Sequence, residues 1–151
     1  MSERKNITVN KKAFHNYEII EKFEAGMVLV GSEVKSIREG KVNLKDSYVD
    51  MRSVEAFLIN AHIAAYSNAS YNNHEPERER KLLLHRRELM KLDKKVKTRG
   101  FSIVPLRMYF NKKGRVKIEI AIAKGKREYE KKQKIKDRDI KRDVERELRR
   151  Y

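Results

Sequence analysis

The sequence predicts a mainly β fold with short helices, built as a closed antiparallel β-barrel and followed by a basic C-terminal tail. Short segments rich in β-branched and aromatic residues follow one another and are separated by tight turns. No alternation of strands and long helices is present, which argues against a parallel sheet. Closure explains many short sequential strands best, because it removes edges that would otherwise aggregate. The apolar periodicity stops near Ala123, so we assign the barrel to 1–123 and the tail to 124–151.

Six segments have the composition of strands. They are 17–30, 47–52, 55–63, 81–84, 101–110 and 115–123. Gly26 predicts a bulge or bend in the first segment, and Pro105 predicts an edge or bulge in the fifth because proline has no N–H. In the last segment, the aliphatic residues from Val116 to Ile122 alternate with Lys117 and Glu119. The aliphatic side chains are therefore expected to face inward and the charged ones outward.

Two short helices are predicted between these strands. The first covers 31–40, with Ser32 as its cap and a glycine at its end. The second begins at His85, where Glu88 three residues later resembles a capping box, and Gly100 ends it. Two polar segments complete the chain, a flexible arm over 1–10 and a surface loop over 67–80.

Composition favours a nucleic-acid partner. The net charge is +16 over 151 residues, and the first 123 residues carry +10 of it. Lys and Arg that neutralise phosphates release counterions, and small barrels of the OB type bind oligonucleotides on their face and loops. No stretch approaches the ~20 apolar residues of a spanning helix, and the N-terminus does not resemble a signal peptide. We therefore expect an OB-like barrel in a cytoplasmic protein with no membrane role. The plain alternative is a charge-rich soluble protein with no polyanionic partner.

No motif of catalysis or metal binding is present in the sequence. Cysteine is absent, which excludes disulfides, a thiolate nucleophile and Cys-ligated zinc. The four histidines do not have the spacing of a zinc site, and neither a phosphate-binding loop nor a nucleophile turn occurs. We expect no catalytic residue, no cofactor and no metal. His62 is interpreted as a hydrogen-bonded core or barrel residue.

Three features point to RNA. The run from Asn10 to His15 places lysines beside a phenyl ring and an imidazole, which suits phosphate pairing and base stacking, or it is a solvated entry to the first strand. Glu24 can accept hydrogen bonds from base amino or ribose 2′-OH groups, although such a residue is more often an ordinary exposed strand position. The strongly basic segment 78–99 can follow a phosphate backbone, or it can be a solvated helix face.

The tail is unable to form a core of its own. Residues 124–151 contain 13 basic and seven acidic residues and only four aliphatic ones, Ile135, Ile140, Val144 and Leu148. Such a segment cannot bury enough apolar surface to offset its ordering entropy. The aliphatic spacing is close to one helical stripe. We expect a tail that is disordered alone and helical when bound to a polyanion.

Several long segments carry a family resemblance. They are TVNKKAFHNYEI (8–19), FEAGMVLVGSEVKSIREGKVNLKDSYV (23–49), HEPERERKLLLHRREL (74–89), KIEIAIAKGKREYEKK (117–132) and IKDRD (135–139). With them the sequence resembles the small protein B family, the SsrA-binding proteins of bacterial trans-translation. The resemblance implies an OB-like barrel without catalytic activity. It also implies binding to the tRNA-like domain of transfer-messenger RNA and delivery of that RNA to ribosomes stalled without a stop codon.

The basic patch and the resemblance together imply two sets of site residues. The set expected to bind RNA is Asn10, Lys11, Lys12, His15, Glu24, Lys81, Leu82, Leu83, Leu84, Gly125, Lys126 and Arg127. The set expected to contact the ribosomal decoding centre and messenger channel is Tyr129, Lys131, Lys132, Lys134, Ile135, Lys136 and Arg138. The family's DKR tripeptide is Glu130-Lys131-Lys132 here, which alters the geometry of a bidentate phosphate contact at Lys132. The protein is expected to act as a monomer.

Two rival functions remain open on the sequence alone. An RNA-modifying or RNA-cleaving enzyme would need a positioned general base or a metal, for which His15 and Glu24 are the candidates. A constitutive ribosomal structural protein would share the charge and the size. Product formation on RNA tests the first rival, and retention on ribosomal subunits in high salt tests the second.

Overall fold

The fold is antiparallel β with three short helices, seen in a computed structural model that describes residues 5–67 and 73–126. The mainly β class with short helices is confirmed. The elements of the described residues are β1 (Lys5–Val9), α1 (Lys11–Asn16), β2 (Tyr17–Met27), α2 (Gly31–Arg38), β3 (Val42–Asn43), β4 (Tyr48–Arg52), β5 (Glu55–Ile59), β6 (His62–Ile63), β7 (Arg80–Leu83), α3 (Arg86–Val96), β8 (Phe101–Phe110) and β9 (Val116–Gly125).

The predicted closed barrel is wrong. Seven strands form one open sheet in the order β1-β8-β9-β2-β7-β5-β4, and β3 pairs with β6 in a separate two-stranded sheet. All of these pairings are antiparallel. The sheet has two edges, because no ladder joins β1 to β4 within 5–67 and 73–126.

The edge of β8 explains why the sheet stays open. β1 pairs only with the second half of β8, over Arg107–Phe110. In the first half, Pro105 has no N–H to donate to another strand. Its carbonyl accepts a hydrogen bond from the Asn10 side chain (2.9 Å), and the carbonyl of Leu106 accepts one from the Asn10 backbone N–H (2.7 Å). A cleft of about 650 Å³, lined by residues of α1, β4 and β8, lies where closure would have occurred.

Apolar clusters pack on both faces of the sheet. The larger cluster contains Ile118, Ile120 and Ile122 of β9 and is joined by Leu92 of α3. The smaller cluster, on the opposite face, packs α1 against β8 and β9 through Ala13, Val104, Leu106, Ala121 and Ala123. We call the face that carries the smaller cluster the outer face. Lys117, Glu119 and Ala121 share this face because side chains two residues apart point the same way.

Several strand predictions need correction in detail. Pro105 lies at a register shift in β8, which confirms the predicted bulge. The irregularity in β2 falls between Ile19 and Glu21 rather than at Gly26. The predicted arm over 1–10 contains β1, which pairs with β8. Ile7, Thr8 and Val9 of this strand are β-branched, a local strand signal that the polar residues around them obscure.

The helix starts and one histidine also differ from expectation. α2 begins after Val30, whose N–H donates to the Glu33 carboxylate (2.9 Å), so Ser32 is not the cap. At His85 the predicted start of α3 is confirmed, with its N–H donating to Glu88 (3.1 Å). This helix ends at Val96, four residues before the predicted stop at Gly100, which has φ +89° in the turn that follows. His62 is exposed on β6, so its assignment to the core is wrong.

The β4–β5 turn contains a strained residue that can be tested. Ser53 and Val54 have φ of 50° and 62°, the left-handed conformation that two-residue hairpins require and that Asn-Gly satisfies best. A β-branched side chain is disfavoured there by about 1–2 kcal/mol. Val54→Gly is therefore expected to raise the free energy of unfolding by about 1 kcal/mol in urea denaturation, after allowing for glycine's greater freedom when unfolded. Val54→Ala should gain less, and a glycine variant of lower stability would contradict this account.

Candidate nucleic-acid interface

Asn10 is a buried anchor at the start of α1. Its side chain is 7% exposed. The amide oxygen accepts from the N–H of Ala13 (3.3 Å), which caps the helix. The amide nitrogen donates to the carbonyl of Pro105 and, at 3.4 Å, to that of Leu44. Asn10 therefore fixes where α1 begins, and it presents the exposed Lys11 to solvent.

Lys12 is exposed and paired with an acid. Its ammonium lies 2.6 Å from the carboxylate of Asp46. The hydrogen bond from Lys12, together with the charges of Lys12 and Lys45, lowers the pKa of Asp46. Because exposed ion pairs contribute little, a phosphate can compete with Asp46 for Lys12. His15 is half-buried in the last turn of α1.

The structure brings the end of β9 beside α1. The ammonium of Lys126 donates to the carbonyl of Phe14 (3.0 Å). The backbone N–H of Lys126 donates to the carbonyl of Asn16 (2.9 Å). Gly125 pairs with Tyr17 in the ladder between β9 and β2. Two predicted RNA-binding segments more than 100 residues apart thus form one surface. Arg127 lies outside the described residues, as do the predicted ribosome contacts Tyr129, Lys131, Lys132, Lys134, Ile135, Lys136 and Arg138.

Glu24 lies on the outer face in a row of charged side chains. In the strand ladders, Glu24 lies opposite Glu119 of β9, and Glu119 lies opposite Arg107 of β8. Glu119 is nearly buried, and its carboxylate lies 3.2 Å from Arg107 and 3.9 Å from Lys22. Glu24 is exposed, and its carboxylate accepts a hydrogen bond from the hydroxyl of Tyr109.

The run Lys81 to Leu84 divides between the two faces of the sheet. Leu82 is 1% exposed and packs in the core, and Leu84 is half-buried against the same cluster. Lys81 is exposed, and Leu83 is 52% exposed. Direct RNA contact at Leu82 is incompatible with its burial, so its contribution is packing.

Gly26 lies between a leucine and a lysine on the outer face. It pairs with Leu83 of β7 on one side and with Lys117 of β9 on the other. A Cβ atom at Gly26 would lie 3.5 Å from both the Leu83 Cβ and the Lys117 ammonium. These are ordinary van der Waals distances, so the position does not require glycine, and an exposed leucine and a cation lie together here beside Glu24.

Beneath β7 lies a buried ion network that sequence reasoning missed. Arg80 and Glu33 are both fully buried. The Arg80 guanidinium donates to the Glu33 carboxylate (2.6 Å) and to the carbonyls of Ala61 (2.7 Å) and Pro76 (3.1 Å). Arg78 donates to the other oxygen of the same carboxylate (2.6 Å). The network ties α2 to the first residue of β7, and so it sets the position of Lys81 and Leu83.

Hydrogen bonds keep the buried carboxylate charged. Burial alone would raise the pKa of Glu33. The hydrogen bonds from Arg78, from the Val30 N–H and from Arg80 together outweigh burial, so the pKa of Glu33 is lowered below its ordinary value of 4.5. Burial likewise lowers the pKa of Arg80, and the pairing with Glu33 opposes that effect.

The outer face also contains residues that were not predicted as site residues. Arg107, Tyr109 and Lys22 surround Glu24 and Glu119. The alternation in 115–123 correctly predicts that Lys117 and Glu119 share a face. Which side chains face them from β2 and β8 depends on strand register, which a single sequence does not give.

Neither a metal centre nor a membrane span is found in the part of the chain that the structure describes. Within 5–67 and 73–126, no group of three or more His, Cys, Asp or Glu side chains could hold a metal ion. None of the helices in these ranges is long and apolar enough to cross a membrane.

Comparison with known proteins gives a consistent set of relatives. The family described as SmpB protein matches residues 7–150. An SsrA-binding protein of Sulfurihydrogenibium sp. is 57% identical over 145 residues, which covers 96% of this chain and 94% of the relative. An SsrA-binding protein of Syntrophobacter fumaroxidans is 55% identical over 140 residues, covering 93% and 86%.

A solved structure agrees with these relatives. It is described as "tmRNA-SmpB: a journey to the center of the bacterial ribosome". The matching chain is 45% identical, with a TM-score of 0.68 over 80% of this chain and 85% of that one. The family match spans nearly the whole sequence. The two SsrA-binding proteins are each at least 55% identical to this chain over more than nine tenths of its length. The chain belongs to the SmpB protein family.

Proposed function

We propose that this protein is an RNA-binding adaptor of trans-translation, which binds transfer-messenger RNA through the tRNA-like domain and brings it to stalled ribosomes. The observation that carries the proposal is the gathering of separate segments on one face. α1 packs on Ala121 and Ala123, and Glu24 pairs with Glu119, which lies two residues from Ala121 on the same strand. Gly26, Leu83 and Lys117 continue that face toward β7.

The chemistry of this face suits a structured RNA. Lys11, Lys12 and Lys126 offer cations at the α1 end for phosphates. Glu24 offers an acceptor for amino or 2′-OH donors. The exposed Leu83 offers an apolar surface for a base or sugar. Cations, one acceptor and one apolar side chain on a folded sheet support recognition of shape and of a few donors, as expected for an RNA with tertiary structure.

Salt dependence tests the electrostatic part of the proposal. Log affinity for a transcript of the tRNA-like domain is expected to fall linearly with log salt, because phosphates are neutralised. Lys11→Ala should weaken binding and reduce the slope by about one. Lys113→Ala, at an exposed lysine in the β8–β9 turn, is the matched control and should change neither. Affinity that does not vary with salt would overturn the proposal.

We propose that the protein has no catalytic activity and acts as a monomer in the cytoplasm. The support for this part of the proposal comes from the relatives, which are described as SsrA-binding proteins. Incubation of the protein with transfer-messenger RNA, with and without divalent metal, is expected to leave the RNA unchanged. A shortened or modified RNA would identify the protein as an enzyme.

The tail is proposed to serve the ribosome. Residues 127–151 contain 11 basic and seven acidic residues, a composition that suits a surface of phosphate. In this proposal Tyr129, Lys131, Lys132 and the residues up to Arg138 enter the decoding centre and messenger channel. A constitutive ribosomal protein would remain on purified subunits in high salt, whereas an adaptor is expected to wash off together with its RNA.

A further inference from the structure

Tyr109 and Glu24 form a contact that spans three strands of the outer face. Tyr109 lies on β8 and is 1% exposed, so its ring is fixed by packing. Its partner in the ladder is Lys117 of β9, whose other partner is Gly26 of β2. Glu24 is two residues from Gly26 and on the same face. The phenol hydroxyl nevertheless donates to the Glu24 carboxylate.

We propose that Tyr109 is a positioning residue for RNA recognition, which holds the exposed carboxylate of Glu24 in the orientation that accepts a hydrogen bond from an RNA donor. The proposal rests on the proposed function, in which Glu24 contacts the RNA. An ionised carboxylate only accepts hydrogen bonds, so its ligand is a donor, either an exocyclic amino group or a ribose 2′-OH.

The surroundings of Glu24 include a second carboxylate. Glu119 lies directly opposite on β9, and two like charges in such a pair repel each other. Arg107 and Lys22 lie against Glu119, and their positive charges offset the negative charge of its carboxylate. Tyr109 therefore supplies an uncharged donor that orients Glu24 without neutralising its charge.

The effect on RNA affinity comes from restricting the Glu24 side chain before the RNA binds. A free glutamate side chain on a strand samples several rotamers, and fixing it on binding is unfavourable. The hydroxyl of the packed Tyr109 ring already restricts Glu24 in the free protein. Less conformational entropy is therefore lost when the RNA binds. Because Tyr109 is nearly buried, it acts on the RNA through Glu24 and not by contact of its own.

Tyr109→Phe tests the proposal by removing one oxygen atom. Affinity for the tRNA-like RNA is expected to fall about three- to tenfold, the usual range for one hydrogen bond. The slope of log affinity against log salt should stay the same, because no charge changes. The melting temperature is measured alongside, and binding is compared at a temperature where all variants are folded.

A double-mutant cycle separates positioning from general damage. Tyr109→Phe should weaken binding further in a Glu24→Gln background, where the side-chain amide oxygen at position 24 can still accept a hydrogen bond from the Tyr109 hydroxyl. It should have no further effect in a Glu24→Ala background, where nothing remains to position. Tyr48→Phe, at an exposed phenol on β4, is the matched control, and its effect should add to that of Glu24→Ala.

The outcomes distinguish this proposal from the proposed function. If Glu24→Ala weakens binding and Tyr109→Phe does not, the positioning role is wrong and Glu24 remains an RNA contact. If Tyr109→Phe weakens binding equally with and without Glu24, the tyrosine acts by another route and the proposal is also overturned. If Glu24→Ala binds normally while Lys11→Ala is weakened, the outer face binds RNA without Glu24, and both roles proposed for that pair are wrong.

Discussion

Arg80→Met is expected to lower the free energy of unfolding by about 3–5 kcal/mol, because it leaves a buried carboxylate without one of its two cations. Arg80 also donates to the carbonyls of Ala61 and Pro76, and these acceptors would lose a partner in the apolar interior. The loss is large beside the total stability of about 5–15 kcal/mol for a typical domain. Urea denaturation followed by circular dichroism measures it.

Exposed and buried ion pairs provide a matched comparison. Arg52 pairs with Glu79 (2.8 Å) and with Asp50 (2.8 Å), but all three side chains are exposed. Arg52→Met is expected to change the free energy of unfolding by less than about 1 kcal/mol, since water already solvates these charges. Equal losses in the two variants would show that burial does not determine the effect.

The same network predicts the response to acid. The pKa of Glu33 is lower in the folded protein than its ordinary value of 4.5. Folding therefore favours the deprotonated form, and the stabilisation is fully present above about pH 4.5. It is lost progressively as the pH falls through the lowered pKa. Glu33→Gln should be less stable at neutral pH and should lose less of its stability on acidification, when both proteins are unfolded in urea at several pH values.

Strand positions could be predicted because they depend on local pattern. The alternation of aliphatic and charged residues in 115–123 identifies β9, and the missing N–H of Pro105 identifies the bulge in β8. The open sheet could not be predicted in this way. Pro105 has no N–H to donate to a further strand, and Asn10 donates to carbonyls 95 and 96 residues away that such a strand could otherwise use. Such a contact leaves no periodic signal. The OB-like classification stays a prediction.

Among the site residues too, local sequence identified the segments, whereas tertiary contacts determine the roles. The family resemblance implied an RNA-binding role for the segments around Asn10, Glu24, Lys81 and Lys126, but it did not show which of their side chains are buried. The structure assigns anchoring to Asn10 and packing to Leu82, because both are buried. Tyr109 and Arg80 were absent from the predicted site, since their importance comes from tertiary contacts with Glu24 and Glu33. Leu82 is buried and has a packing role, and direct contact with RNA stays a prediction for the other residues of the site.

Deletion of residues 127–151 is expected to abolish peptide tagging on stalled ribosomes while leaving the RNA-binding domain folded. The predicted boundary at Ala123 falls inside β9, which continues to Gly125. Lys124 and Gly125 pair with Glu18 and Tyr17, and Lys126 bonds to α1. The cut is therefore best placed after Lys126, where both core clusters and every described ladder are retained.

A pair of truncations tests this boundary together with the tail. Residues 1–126 should unfold cooperatively and bind the tRNA-like RNA with modest loss, whereas 1–123 should be less stable and bind more weakly. A full-length variant with serine at Ile135, Ile140, Val144 and Leu148 keeps every charge of the tail and removes its aliphatic stripe. Tagging should fail in this variant too if the stripe must order against the ribosome.

Tagging and RNA binding together decide the role of the tail, because they separate two explanations of a failed rescue. Loss of tagging with retained RNA binding in 1–126 assigns the tail to the ribosome. Equal loss of both would place the tail in the RNA-binding surface, beside Lys126 and α1 where it begins. Normal tagging by 1–126 would show that the 11 bases beyond Lys126 are dispensable and that the folded domain alone suffices for rescue.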